Sequence, residues 1–146
     1  MSPKLLSLIA LGVAVAALVV LVLEKSLVAR EPIAMGVQIA AVLFFLWARL
    51  TMGWRSFHAT ANPLESARLV TTGPYGLVRH PIYVALWVFA WAGVADHLSV
   101  LTAAMGLVIA AGLFARMLLE EALLRERFPE YADYARRTKR IVPFVL

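Results

Sequence analysis

Of 146 residues, 62% are hydrophobic and 16% charged, and mean hydropathy is +0.82, which is too apolar for a soluble domain and too short for two domains. The chain has no cysteine, so a disulfide framework, a thiolate nucleophile and a cysteine-based metal site are all excluded. The net charge of +5 sits on basic residues that hug apolar runs; it reflects membrane orientation and affinity for anionic head groups, and nucleic acid is not expected as a partner.

The first apolar run, Leu5 to Leu23, approaches the roughly 20 residues a helix needs to cross a hydrocarbon core. Signal-peptide cores are shorter, about 7 to 15 residues, and residues 24–29 offer no small-x-small cleavage site, so a retained helix is expected. A second run, Ile33 to Met52, follows Pro32 and carries Gln38 and, near its end, Arg49, which can snorkel. The loop 53–80 is long for a compact membrane protein, and its turn and aromatic residues argue for an ordered, functional segment. Only Asp96 and His97 separate the runs Ile82–Ala95 and Leu98–Ala115, which predicts a tight antiparallel hairpin.

Four spans result, at about 5–23, 33–52, 81–95 and 98–118, in one domain covering 1–146 without internal repeats. Beyond the fourth, strong helix formers continue to Phe128, and a short second helix is expected from Pro129, giving C-terminal helices over 116–140. The apolar last residues are expected to pack back on the membrane surface. Lys25 and Arg30 lie between the first two spans and no basic residue lies at Asp96–His97, whereas Lys4, Arg55, Arg68, Arg79 and the basic tail lie opposite. Both termini and the loop 53–80 are therefore expected in the cytoplasm. An Ala-, Val-, Leu- and Arg-rich composition suits a bacterial inner membrane.

The stretch Thr72 to Pro81 is the chain's most distinctive feature, a turn-rich polar sequence between apolar runs. Pro81 suits the first turn of a helix and pushes His80 toward an extended conformation, placing Arg79 and His80 at a helix mouth. The Gly73-Pro74 and Tyr75-Gly76 turns allow close backbone approach to a ligand. Tyr75 and Tyr83 flank the Arg-His-Pro and are ligand candidates, while Trp87 and Trp91 read as a membrane-edge belt. Arg116 and Glu120 stand one helical turn apart and can pair; Glu121, rotated about 100°, pairs more naturally with Arg125. Spacing alone does not separate a site from an ordinary charged helix. His58 and His97 are not at metal-ligand spacing from His80, so no metal is expected. There is no P-loop, no Rossmann glycine pattern and no Ser-His-Asp order.

Gly73-Pro74-Tyr75-Gly76, then Arg79-His80-Pro81-x-Tyr83, then the distal Glu120-Glu121-x-x-Leu124-x-x-x-Phe128-x-x-Tyr131-x-x-Tyr134 resemble the isoprenylcysteine carboxyl methyltransferase family and the related membrane phospholipid N-methyltransferases. The match covers roughly the C-terminal half. It implies an all-α membrane enzyme that binds S-adenosylmethionine on its cytoplasmic side and releases S-adenosylhomocysteine. By the same resemblance Tyr75, Val78, Arg79, His80, Pro81, Tyr83, Glu121 and Tyr134 line the cofactor, with Arg116 and Glu120 nearest the transferred methyl group. Two departures stand out. Ala85 replaces a frequent glycine, which puts close helix packing in doubt, and Phe128-Pro129 replaces Phe-Gly, which alters the turn before the tyrosine pair.

The expected activity is methylation of a small amphiphilic or lipidic acceptor at the bilayer, with carboxyl methylation first and phospholipid amine methylation as the alternative. A reading of another class is a non-catalytic membrane scaffold or small-molecule carrier, and cofactor binding separates it from the enzymes. Whether oxygen, nitrogen or sulfur is methylated stays open at this stage.

Overall fold

The computed structural model describes residues 3–53 and 69–141. Residues 54–68 of the expected cytoplasmic loop, with Arg55, His58 and Arg68, and the terminal segment 142–146 expected on the membrane surface, lie outside the described residues. Those described form six helices: α1 Pro3–Leu23, α2 Pro32–Met52, α3 Pro74–Leu77, α4 Pro81–Asp96, α5 Val100–Arg127 and α6 Tyr131–Arg137. One isolated parallel bridge, Val78 to Lys139, is the sole strand-like pairing among them.

Helices α1, α2 and α5 are each long and apolar enough to cross a membrane, and α4 is a shorter apolar helix. Together they make this an integral membrane protein. Their outward residues suit lipid: Ile33 is 77% exposed and Leu50 is 74% exposed. Boundaries follow local chemistry. Proline opens α2, α3 and α4, where a missing N–H costs nothing. Ser99 caps α5 in a reciprocal box with Thr102.

The dominant pairings are α1 on α5 and α2 on α4, rather than helices adjacent in sequence. Small residues permit the close approach that drives packing where water offers no help. A Cβ on Gly112 would stand 2.9 Å from the Ala10 carbonyl oxygen, and one on Gly93 only 2.2 Å from that of Leu27. Ala85 is buried, so its replacement of glycine has not cost α4 its packing. At the end of the bundle away from Pro81, the Asp96 carboxylate accepts from the backbone N–H groups of Arg30 and Glu31. Gln38 ties the connection between α1 and α2 to α4, donating to Leu27 and Phe89 carbonyls and accepting from the Ala29 N–H.

One expectation holds and two need correction. The α4–α5 hairpin turns within the three residues His97 to Ser99, as expected, although each helix packs more extensively on its other neighbour than on its partner in the hairpin. Trp87 and Trp91 are not an outward belt; both pack against the cluster of Ala17, Leu21, Ala90, Val94, Ile109 and Leu113. The short C-terminal helix begins at Tyr131 instead of Pro129, after a turn in which Tyr131 N–H bonds the Phe128 carbonyl.

Candidate functional site

The polar centre forms where the 72–81 segment, the end of α5 and the C-terminal segment converge. Gly73 has φ +58°, a conformation that favours glycine, and its Cβ would stand 3.2 Å from the Thr51 hydroxyl of α2. The two turns expected after it merge into the single-turn helix α3. Residues 78–80 then run alongside the tail, with Arg79 N–H bonded to the Lys139 carbonyl at 2.7 Å and His80 N–H to that of Arg140 at 3.3 Å. This backbone pairing fixes the Arg79 and His80 side chains before α4 begins at Pro81.

Glu121 is the hub of the arrangement. Its buried carboxylate accepts from Arg79 Nε at 2.9 Å, Arg125 Nη2 at 3.0 Å, and Arg140 Nε and Nη2, each at 3.1 Å. The His80 Nε2 stands 3.4 Å away. Arg79 also donates to the carbonyls of Ala135 and Thr138, joining the loop, α5 and α6. The Arg125 pairing read from spacing is present, but it is one of several, and the largest share of Glu121's surroundings comes from residues distant in sequence.

Glu120, one residue earlier, faces a different chamber. Its Oε1 accepts from the Tyr83 hydroxyl at 2.5 Å and stands 3.0 Å from Arg116 Nε. Arg116 Nε also donates to the Tyr83 oxygen at 2.6 Å, so the phenol bridges cation and carboxylate. The His80 ring stacks on Tyr83, with centroids 5.7 Å apart and planes 18° off parallel. Arg116 is 4% exposed, which separates this cluster from a solvated surface pair.

Tyr75 and Tyr134 lie together: the Tyr134 hydroxyl donates to the Tyr75 carbonyl at 2.7 Å, and Tyr134 meets Tyr131 edge to face. The Tyr75 and Tyr131 hydroxyls are buried without a hydrogen-bond partner. Burial, more than any neighbouring charge, raises the Tyr75 phenol well above its ordinary range, with Tyr134 and Glu120 adding to the rise and the Arg49 cation opposing it. Burial likewise pushes Tyr134 up to about 12. Both remain protonated donors at neutral pH.

From this polar centre an apolar groove of about 340 Å³ runs between α4 and α5, lined by Tyr83, Trp87, Ala110, Phe114, Met117 and Ile141 among others. It lies along the seam where α4 and α5 pack on each other less extensively than each does on its other neighbour. All ten expected site residues gather at the two faces of this centre: Arg116, Glu120 and Tyr83 by the groove, Tyr75, Val78, Arg79, His80, Pro81, Glu121 and Tyr134 around the clasped loop. Sequence reasoning missed Arg140 and the Val78–Lys139 pairing, for which the basic tail gave no partner, and the groove wall of Trp87, Phe114 and Met117.

A profile of the isoprenylcysteine carboxyl methyltransferase (ICMT) family matches residues 32–126. The chain is 41% identical over 80 residues to the nickel-cobalt-cadmium resistance protein NccN of Alcaligenes xylosoxydans xylosoxydans, covering 54% of this chain and 38% of that protein. It is 36% identical over 111 residues to the cobalt-zinc-cadmium resistance protein CzcN of Cupriavidus metallidurans, covering 75% and 46%. The chain thus spans less than half the length of these curated relatives. No solved structure matches it. With the family profile extending over most of the chain, from the start of α2 almost to the end of α5, the protein belongs to the isoprenylcysteine carboxyl methyltransferase family.

Proposed function

We propose that the protein is an S-adenosylmethionine-dependent methyltransferase, a single four-span domain in a bacterial inner membrane with both termini and the polar centre in the cytoplasm. Its acceptor is a small amphiphile whose head reaches Arg116 and Glu120 while its tail occupies the α4–α5 groove. The observation that carries this reading is the buried Arg116–Tyr83–Glu120 cluster at the inner end of an apolar groove.

The residues present fit the cofactor. The partnerless buried hydroxyls of Tyr75 and Tyr131 are donors awaiting an acceptor, and the stacked His80 and Tyr83 rings offer an aromatic face. Tyr75, His80, Tyr83, Tyr131 and Tyr134 would hold it, with Val78, Arg79, Pro81 and Glu121 setting the loop that presents them. When bound, S-adenosylmethionine would supply a sulfonium-activated methyl group to the acceptor's lone pair and would leave as S-adenosylhomocysteine. The protein's own work is alignment and exclusion of water. Glu120 takes the proton of an amine acceptor, and Tyr83 holds Glu120 and Arg116 at a fixed separation.

A second reading of the acceptor follows from the same cluster. Arg116 is already paired with Glu120, so the site is close to neutral and suits a nucleophile that surrenders a proton better than a carboxylate that needs an uncommitted cation. Amine methylation is therefore favoured over carboxyl methylation. The relatives' names tie them to metal resistance, and methylation of a membrane component in that setting is part of this proposal.

Calorimetric titration of the detergent-solubilised protein with S-adenosylmethionine and S-adenosylhomocysteine tests the reading. Binding of both, weakened by Tyr75→Phe, is expected, and absence of binding to either overturns it. Glu120→Gln should keep cofactor affinity and lose transfer to an amine by roughly 100- to 10,000-fold. For a carboxylate acceptor Arg116→Ala should be the more damaging change.

A further inference from the structure

We propose that the contact of Trp91 with Gly106 is a stop that sets the acceptor's tail length, so that the groove takes one aliphatic chain of about twelve carbons. The inference rests on the reading of the groove as the acceptor's channel. On α4 the groove wall runs through Tyr83, Val84 and Trp87, and on α5 from Met117 back to Leu107. One helical turn beyond Trp87 on α4 and one residue beyond Leu107 on α5, the two helices touch through Trp91 and Gly106. The position of a Cβ on Gly106 lies 3.3 Å from Trp91 Cζ2, so the indole rests directly on the α5 backbone where any larger residue would hold it off. Neither the Trp87 nor the Trp91 indole nitrogen has a hydrogen-bond partner, so packing alone sets these rings.

The length follows from helix geometry. Met117 and Leu107 are ten residues apart, about 15 Å at a rise of 1.5 Å per residue. An extended chain advances roughly 1.25 Å per carbon, the projection of a C–C bond of about 1.5 Å, which gives about twelve carbons. About 15 Å is also half of a hydrocarbon core of about 30 Å, so the tail comes from the leaflet on the site's own side. A volume of about 340 Å³ falls at the small end of ligand pockets, enough for one chain. A two-tailed phospholipid would leave its second chain in the bilayer.

The test uses n-alkylamines and n-alkanoates of 8, 12 and 16 carbons, plain for methyl transfer from radiolabelled S-adenosylmethionine and with a terminal diazirine for photolabelling in nanodiscs. The 12-carbon diazirine should label the Trp91 and Leu107 peptides severalfold above the lipid-facing Leu43 and Leu46 of α2, and the 8-carbon probe should label nearer Ala110 and Phe114. The 16-carbon probe should show no such preference until Trp91→Ala opens the stop. Ala111→Leu, a change at an exposed groove residue that does not need the core to repack, should shift the preference to about seven carbons, since only six residues then separate the block from Met117. Labelling without length preference, or equal labelling of α2, overturns the stop, as does a failure of both variants to move the preference. Length-dependent labelling without methyl transfer to any probe upholds the stop and overturns the enzymatic reading. Transfer at equal rates for all lengths does the reverse.

Discussion

Replacing Glu121 by Gln keeps the side chain's size and removes the charge on which the loop, α5 and the tail converge. The cost can be worked from the partners. Arg125 is 51% exposed and Arg140 35%, so both can return to water when the carboxylate is lost. Arg79 is 8% exposed; it keeps the carbonyls of Ala135 and Thr138, but its Nε loses a charged acceptor and meets an amide that can present N–H. Breaking a buried ion pair by removing one partner costs about 3 to 5 kcal/mol, and with two of three arginines able to resolvate the lower figure, about 3 kcal/mol, is expected. Arg125→Ala, which trims only an exposed member, should cost about 1 kcal/mol or less. Reversible unfolding in mixed detergent, followed by tryptophan fluorescence, measures both. A Glu121→Gln protein within about 0.5 kcal/mol of the parent would refute the hub, because a surface substitution away from any special feature costs no more than that.

Tyr83→Phe removes the hydroxyl shared by Arg116 and Glu120 but leaves their direct 3.0 Å contact, so single-turnover transfer should fall about 10- to 100-fold with the fold intact. Gly93→Ala should cost more than about 3 kcal/mol, since its Cβ would stand 2.2 Å from a backbone oxygen of Leu27, whereas Gly36→Ala, with nothing within 4 Å, should be neutral or gain up to about 1 kcal/mol from helix propensity. Alkali should destabilise the protein. Tyr134 ionises near 12 when folded and near 10 when unfolded, so its contribution of ~2 to 3 kcal/mol is complete below pH 10 and lost as pH rises from 10 through 12, measurable as a falling unfolding midpoint that Tyr134→Phe makes less steep, the buried Tyr75 and Tyr131 phenols supplying the rest. Cysteines introduced at Thr72 and Leu98 into this cysteine-free chain should label from opposite sides of an inverted vesicle; labelling from one side would remove the four-span arrangement.

The helices were legible in the sequence because length and apolarity specify them directly: Pro32 and Pro81 mark starts that the structure reproduces. Pairing of helices was not. Nothing in the local periodicity of α1 says that Ala10 and Ala14 meet Gly112, since small residues look alike until a partner backbone is placed against them. The same limit governed the tryptophans, whose composition suits either an interface belt or a packed wall. At the site, one-turn spacing revealed the Arg116–Glu120 pair, while Arg140, nineteen residues from Glu121, reached it through a tail whose course depends on pairing with Val78.

The two adjacent carboxylates show how one helix serves structure and chemistry together. A step of one residue turns the side chain by about 100°, which carries Glu121 into the clasp of arginines and Glu120 toward Tyr83 and the groove. Glu121 is saturated with donors from three arginines. Glu120, held on one oxygen by a phenol and a guanidinium, keeps a side chain that is 21% exposed and within reach of a ligand. The groove that leads there has a similar origin in packing. Because α1 claims α5 and α2 claims α4, the α4–α5 seam is packed less than either of those pairs, and the apolar groove beside Tyr83 lies along it.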